Sequence, residues 1–395
     1  MTILSNTQAS EKIPLWRDER ILRIVAQIVS AVVVLAFLFW GVTNFLRITQ
    51  QRGMPLTYNF LREPAGFPIS EGFLTYDPTM SFGRAFLVGL INTLVVSGSG
   101  IVLASILGLI IGLARLSSNW LLSRIALAYI EFHRNIPLLV LMFLWYFGVF
   151  AKLPSVKESI AMPGPSYLSQ RGLYITFPRL TETGSIFLIF SGIGVILAFA
   201  AFYILRHIRE NTGRETHFGL TSLGLFLLLT IAGWFLSGGE PFWMDKPSMQ
   251  GFNFQGGFRL SPEFTALLVS LTMYTAAFIA EVVRSGIQAV HRGQVEAARA
   301  LGLRSPQVMS LIVLPQALRV IIPPLISQYL NLTKNSSLAL TIGFQELFAI
   351  SKITINQAGR AVPVFLMVML TYLAISLLTS LVLNVYNRKV QFVER

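Results

Sequence analysis

Cysteine is absent from the chain's 395 residues, which excludes disulfides, thiol nucleophiles and thiolate metal ligands together. Charge is nearly as scarce. Asp, Glu, Lys and Arg make up 12% of the residues, where an average soluble domain carries roughly 25%. So little charge cannot cover a water-facing surface. The four histidines, His133, His207, His217 and His291, lack the spacing of metal ligands. No G-x-x-x-x-G-K-[ST] occurs, so the chain has no phosphate cradle and hydrolyses no ATP itself. No nucleophile elbow occurs either. These absences exclude the common enzyme chemistries and leave a conduit.

What is abundant is apolar: 54% of the residues, with a mean hydropathy of +0.65. The apolar residues fall in long runs, which makes the fold class an all-α polytopic membrane protein of about eight transmembrane helices. The runs are Ile21–Phe45, Phe86–Leu113, Ile125–Phe150, Gly184–Leu205, Gly219–Leu236, Pro262–Val283, Ala317–Phe344 and Pro363–Tyr386. The first is too long for a signal-peptide core and lacks a small-residue cleavage site, so it reads as an uncleaved anchor. Gly108 and Gly112 in the second run have the spacing that lets another helix approach closely. The net charge of +13 belongs to basic residues bordering the runs. No Lys/Arg-dense stretch with interleaved aromatics appears, so nucleic acid is rejected as a partner. Basic residues favour the side of 1–23, 115–124, 206–217, 284–319 and 388–395. That places both termini in the cytoplasm by the positive-inside rule.

One polar stretch, Gln294 to Pro315, lies between two apolar runs. Glu296, Ala297 and Ala298 are good helix formers. Gly302 follows where a helix terminates in the left-handed conformation. Ser305 reads as an N-cap and Pro306 as a first-turn proline, with a second short helix running to about Val313. The segment is expected to be a helix, a tight turn and a helix lying beside the membrane. One bland possibility stands beside a docking knob: an amphipathic interfacial helix pair without a partner.

Glu296-Ala297-Ala298, then Gly302, then Ile312 and Leu314-Pro315 resemble the EAA loop of ABC-importer permeases. In that family the loop is the coupling helix that docks on a cytoplasmic ATPase. A second run, Tyr129-Ile-Glu-Phe-His-Arg-Asn-Ile-Pro137, resembles the same segment of polar-amino-acid importer permeases. The hairpin and flanks at 151–261 have no counterpart in the small members. The enlarged form resembles the larger permease subunit of general L-amino-acid importers. The resemblance implies a type I importer permease fold, with spans 2, 3, 6, 7 and 8 as the core, an extra N-terminal helix and an inserted hairpin. The chain then divides into a tail 1–20, a first helix 21–46, a periplasmic loop 47–85 and a first core part 86–150. The insertion 151–261 follows, then a second core part 262–387 with the coupling loop at 284–316, and a tail 388–395.

The resemblance further implies a function: the transmembrane subunit of an ATP-driven L-amino-acid importer in the bacterial inner membrane. Its partners would be a second homologous permease, as a heterodimer, two ATPase subunits, a periplasmic amino-acid-binding protein and the bilayer. No cofactor is expected on this chain; ATP and Mg would sit on the ATPase. The ATPase-coupling residues would be Glu296, Ala297, Ala298, Gly302, Leu314 and Pro315. Substrate-path candidates are Asn331, Lys334, Asn335, Ser336 and Ser337 in the seventh run, with Glu131, Arg134 and Glu281. A lysine inside an apolar span is costly. Lys334 either meets a substrate carboxylate or neutralises a helix end or a neighbouring acid. Glu131 with Arg134, and Glu281 with Arg284, have helical pairing distance and read first as structural ion pairs. The competing class is a stand-alone secondary transporter, but no repeated half is visible, and such a protein has no use for the segment at 294–315.

Overall fold

A computed structural model describes residues 19–51 and 56–390. Most of the tails expected at 1–20 and 388–395 lies outside the described residues. Among these, seven helices are long and apolar enough to cross a membrane, and an eighth span forms if one bent pair counts as a single crossing. In chain order the first are α1 (Glu19–Gln51), α2 (Phe82–Arg115), α3 (Trp120–Asn135) and α4 (Leu138–Phe143). α4 runs on helically to Lys152, at 105° to α3. The break falls at Ile136-Pro137, where proline lacks an N–H and forces its predecessor out of the helical region; Ile136 is extended. The chain therefore turns a corner there.

The insertion follows. α5 (Gly184–Thr212) and α6 (Phe218–Leu236) pack chiefly on each other. Their flanks carry eight short strands. β1 (Ile160–Met162), β2 (Ser166–Ser169) and β3 (Gly172–Ile175) form an antiparallel sheet completed by β8 (Phe258–Leu260). β4 (Phe177–Leu180) pairs with β5 (Phe242–Asp245), and β6 (Ser248–Gln250) with β7 (Asn253–Gln255). The β4–β5 ribbon ties the two ends of the hairpin together: Arg179 Nε meets Asp245 Oδ2 at 2.6 Å, and the Thr183 hydroxyl donates to the Ser237 carbonyl at 2.8 Å. Runs of three or four paired residues give too little periodicity to be read as strands from sequence.

The second half comprises α7 (Pro262–Gln288), α8 (Arg292–Ala300), α9 (Ser305–Val308), α10 (Leu314–Asn335), α11 (Leu347–Ala358) and α12 (Ala361–Val390). α7 is the central post, with 61% of its most apolar window buried within the chain. α2, α3 and α10 pack around it. α1 instead keeps its apolar side chains exposed, as a lipid-facing helix does.

The most extensive contact between helices is that of α2 with α7, and it is close. A Cβ built at Gly108 would lie 2.7 Å from Ile279 side-chain atoms and 2.9 Å from the Ala276 carbonyl; one at Gly112 would lie 2.9 Å from the Ala280 carbonyl. Backbone occupies the space a side chain would need. Gly98, on the same helix, has nothing within 4 Å. Gly108→Ala is therefore expected to destabilise the chain by about 1–3 kcal/mol through overpacking, and Gly98→Ala to be neutral. Thermal unfolding of the purified variants checks this; equal midpoints would mean that α2 and α7 separate freely.

Candidate functional site

Two features stand at opposite ends of α10. At its start is the segment 292–313. α8 ends in a paired set of bonds: Leu303 N–H to the Ala298 carbonyl at 3.2 Å, and Gly302 N–H to the Arg299 carbonyl at 2.9 Å. Gly302 has φ +83°. This is the Schellman turn, which favours glycine because a Cβ there is strained. Ser305 proves to be the first helical residue and not the cap; the Arg304 N–H is satisfied by Gln307 Oε1 at 2.9 Å. A small core of Ala298, Val308 and Val313, with Val295 and Leu303, holds α8 against α9. Much of the rest of the segment points outward: Glu296, Ala297, Arg299 and Arg304 are exposed, and Leu301 at the apex is 83% exposed.

α9 does not stop before Pro315. It passes through a π-helical turn, Met309–Val313, into α10. Leu314 N–H reaches the Met309 carbonyl, and Pro315 has no N–H to continue the regular ladder, so the wider turn absorbs the mismatch. Leu314 is exposed and Pro315 half-buried beside it. The knob and the span are one continuous helical rod.

The other feature runs along α10. Pro323 and Pro324 lie inside the helix without breaking it. Pro324, Ser327, Asn331 and Lys334 are exposed and recur at helical spacing, so one face of a membrane helix is polar and uncovered. The Lys334 ammonium makes no hydrogen bond or ion pair among the described residues. Asn335 and Ser337 are half-buried beside it, and the Ser337 hydroxyl donates back to the Lys334 carbonyl at 2.8 Å. Ser336 is different. It is fully buried, its hydroxyl donating to the Thr333 carbonyl at 2.7 Å, so it faces the core and not the polar stripe.

The remaining candidates lie on α3 and α7. Glu281 and Arg284 pair through two contacts, one of them Nε to Oε2 at 2.9 Å. Glu131 and Arg134 do not pair. Glu131 accepts from Asn135 Nδ2 at 3.2 Å, and Arg134 lies over the Phe278 ring at 5.4 Å, where its charge is felt by Glu281. The corner at Pro137 ends α3 just beyond Arg134, and Phe278 on α7 offers its ring face instead. The Tyr129 hydroxyl donates to the Met273 carbonyl at 2.8 Å and fastens α3 to α7.

Sequence reading passed over Gln345 and Glu346, at the start of a short helix between the last two spans. α11 is that short helix; its first turn packs on α2 beside Asn92 and Thr93, and Glu346 is 0% exposed. Asn92 Nδ2 donates to the Glu71 and Gln345 carbonyls at 2.9 and 2.8 Å. Burial pushes the nearby Glu71 carboxyl above the usual carboxylate range, while the Ser261 N–H donating to its Oε1 opposes the shift. The signal available in the sequence was an acid just after Gly343 and before an apolar helix.

The described residues thus form a bundle of apolar helices with a projecting helix–turn–helix and an exposed lysine near the end of α10. The family model for the binding-protein-dependent transport system inner membrane component matches residues 216–392. The chain is 43% identical to the putative amino-acid ABC transporter permease protein YhdX of Escherichia coli, over 93% of this chain and 94% of that one. It is 42% identical to the general L-amino acid transport system permease protein AapQ of Rhizobium johnstonii, over 96% and 94%. It is 39% identical to the glutamate/glutamine/aspartate/asparagine transport system permease protein BztB of Rhodobacter capsulatus, over 96% of each. The chain belongs to this family of inner-membrane permease proteins of amino-acid ABC transporters.

Lys334→Met separates the two roles open to the lysine, since it keeps much of the apolar length and removes the cation. A lysine at the centre of a span costs about 2.5–3.5 kcal/mol, so retention of the residue demands a use. If it meets substrate, uptake fails while assembly and basal ATPase activity persist; if it serves packing, the complex disappears from the membrane. Normal uptake by a normally assembled variant would remove Lys334 from both roles.

Proposed function

We propose that this chain is the membrane-spanning subunit of an ATP-driven importer that takes up L-amino acids. It forms the translocation path with a second homologous permease. The observation that carries this is the pairing of features on α10: an exposed knob at one end and an uncovered polar face along the rest. Polar side chains facing lipid are unfavourable, so that face needs a protein or water neighbour. A second permease chain covering it leaves a polar seam between the two subunits. The amino-acid specificity in the names of the relatives fits a path whose ionisable group on that seam is a cation suited to a carboxylate.

The knob fits a groove on a soluble ATPase. ATP and Mg belong on that ATPase, because this chain has no phosphate-binding loop. Docking requires residues 292–313 to be cytoplasmic. The sheets then lie outside with a periplasmic amino-acid-binding protein, and both termini lie inside, in agreement with the distribution of basic residues. Leu301, exposed at the apex, is the apolar anchor for the groove. A stand-alone secondary transporter gains nothing from a knob built this way.

Co-purification tests the assembly: an ATPase and a sister permease should accompany the tagged chain, and recovery of the chain alone in active form would favour the secondary transporter. Within the complex, Gly302→Val strains the left-handed turn by roughly 1–2 kcal/mol. Uptake and substrate-stimulated ATPase activity are both expected to fall while the chain still inserts. Parental uptake by that variant would show that the knob does not couple.

A further inference from the structure

The β4–β5 ribbon leads directly into the apolar hairpin. β4 ends at Leu180 and α5 begins at Gly184; α6 ends at Leu236 and β5 begins at Phe242. α6 has 19 residues, about 29 Å at 1.5 Å per residue, which nearly equals a hydrocarbon layer of about 30 Å. The ribbon therefore lies at the level where the hairpin leaves the hydrocarbon. It also leans on the hairpin. A Cβ built on Gly184 would lie 2.8 Å from Leu180 Cδ2, and the Phe242 ring meets Phe187 of α5 edge-on at 5.5 Å.

The two faces of the ribbon differ. Side chains alternate across a strand, and residues directly opposite share a face. Phe177 with Asp245, and Arg179 with Trp243, lie on one face; Pro178 with Met244, and Leu180 with Phe242, lie on the other. The first face carries the ion pair and is turned toward the sheets. Asp245 is buried there, its Oδ1 2.7 Å from where a Gly256 side chain would begin, and the Phe177 ring packs on Phe258 of β8 at 5.2 Å. The second face is wholly apolar, and all four of its residues are exposed. It joins the exposed surface of the hairpin through Phe187, whose ring also meets Trp234 of α6 at 6.1 Å. Beside Trp234, Phe235 and Leu236 are uncovered too.

Such a face is unfavourable in water. Nor can the ribbon enter hydrocarbon, because a sheet of two strands leaves the outer edge of each strand without a ladder partner. The boundary between the two media suits both: headgroups and water solvate the edges, and acyl chains take the apolar face. Trp234 and Trp243, at the same end of the hairpin, are residues favoured at that depth. We propose that the β4–β5 ribbon is an interfacial membrane contact, with Pro178, Leu180, Phe242 and Met244 laid against the phospholipid leaflet. The occupant is lipid and not another protein chain, because the face continues a surface that lipid covers where the hairpin spans. The inference needs the hairpin to cross the bilayer and does not depend on what is transported. It sets the four-stranded sheet on the membrane, with the ribbon as the layer between.

The chain has no cysteine, so a single introduced cysteine carries a fluorophore unambiguously. Met244→Cys changes a side chain that is 59% exposed. Ile189→Cys on α5 is the lipid reference, and Gln170→Cys, exposed between β2 and β3, is the aqueous one. Each labelled variant is studied in the assembled complex, reconstituted in phosphatidylcholine–phosphatidylglycerol vesicles. Brominated lipid quenches from the bilayer, and iodide, present on both sides, quenches from water. The label at 244 is expected to lose more intensity to brominated lipid than to iodide, as at 189, and most to lipid brominated near the headgroup. Greater loss to iodide, as at 170, would place the face in water and overturn the proposal. Shielding from both quenchers would mean that a second protein chain covers the face, and would overturn it as well. Leu180→Cys, on the same face, decides in the same way should the variant at 244 fail to assemble.

Discussion

Every polar group placed in hydrocarbon must find its partner inside the protein, because no water is there to supply one. This constraint shapes the chain throughout. It makes the spans helical, with their backbone bonds satisfied within each segment. It also gives the departures from helix their meaning. The corner at Pro137, the π-turn before Pro315 and the 3-10 stretch before Gly343 each free backbone groups, and each is met by a local device. Leu314 reaches back five residues in the second case, and the Glu346 carboxylate caps the helix restarted after the third. A buried acid would be costly by itself. With four donors around it, it becomes a fastening between helices that apolar contacts alone would let slide.

Against that rule the two unsatisfied surfaces stand out. Leu301 is apolar and lies at the apex of a polar knob; Lys334 and Asn331 are polar and lie on an apolar helix. Each is matched to an environment the isolated chain does not provide. On the proposed function, a soluble partner covers the first, and a second membrane subunit or a water-lined path covers the second. Function in this protein is visible where the chain leaves the general constraint unmet.

The spans were legible in sequence because their signal is long. Runs of about twenty apolar residues need no tertiary context to be recognised. The knob was legible for the opposite reason. Its signal is short but chemically exact in kind: Gly302 at a left-handed cap, with helix formers before it. What escaped was short and relational. The eight strands flanking the hairpin are three or four residues each and acquire meaning only from pairing across the insertion, as β3 does with β8. The absence of a Glu131–Arg134 pair depends on Phe278, which lies far away in sequence and competes for the arginine. Ser336 stood among polar neighbours in sequence, yet the switch from α-helix to 3-10 geometry at that residue turns it inward. Glu346 is invisible as a site residue from its own neighbourhood, because its donors come from residues 93 and 372 as well as from the start of α11.

The continuity of the rod from α9 to α10 bears on how an ATPase at one end could act on a solute at the other. A flexible linker at Pro315 would have allowed the knob to move without the span. The π-turn keeps helical geometry through the proline, so displacement of α8 and α9 carries α10 with it. From Leu314 to Asn335 the helix has 22 residues, about 33 Å at 1.5 Å per residue, so a small tilt at the knob becomes a larger sweep at Lys334. The far end is not free to follow without limit, since the 3-10 stretch that continues it packs against α2, α7 and α11. A lever driven at one end and gripped at the other concentrates its movement along the stretch between, which is the polar face of α10. On the proposed function, that is the part of the chain that must alternate between exposing a solute to one side of the membrane and to the other.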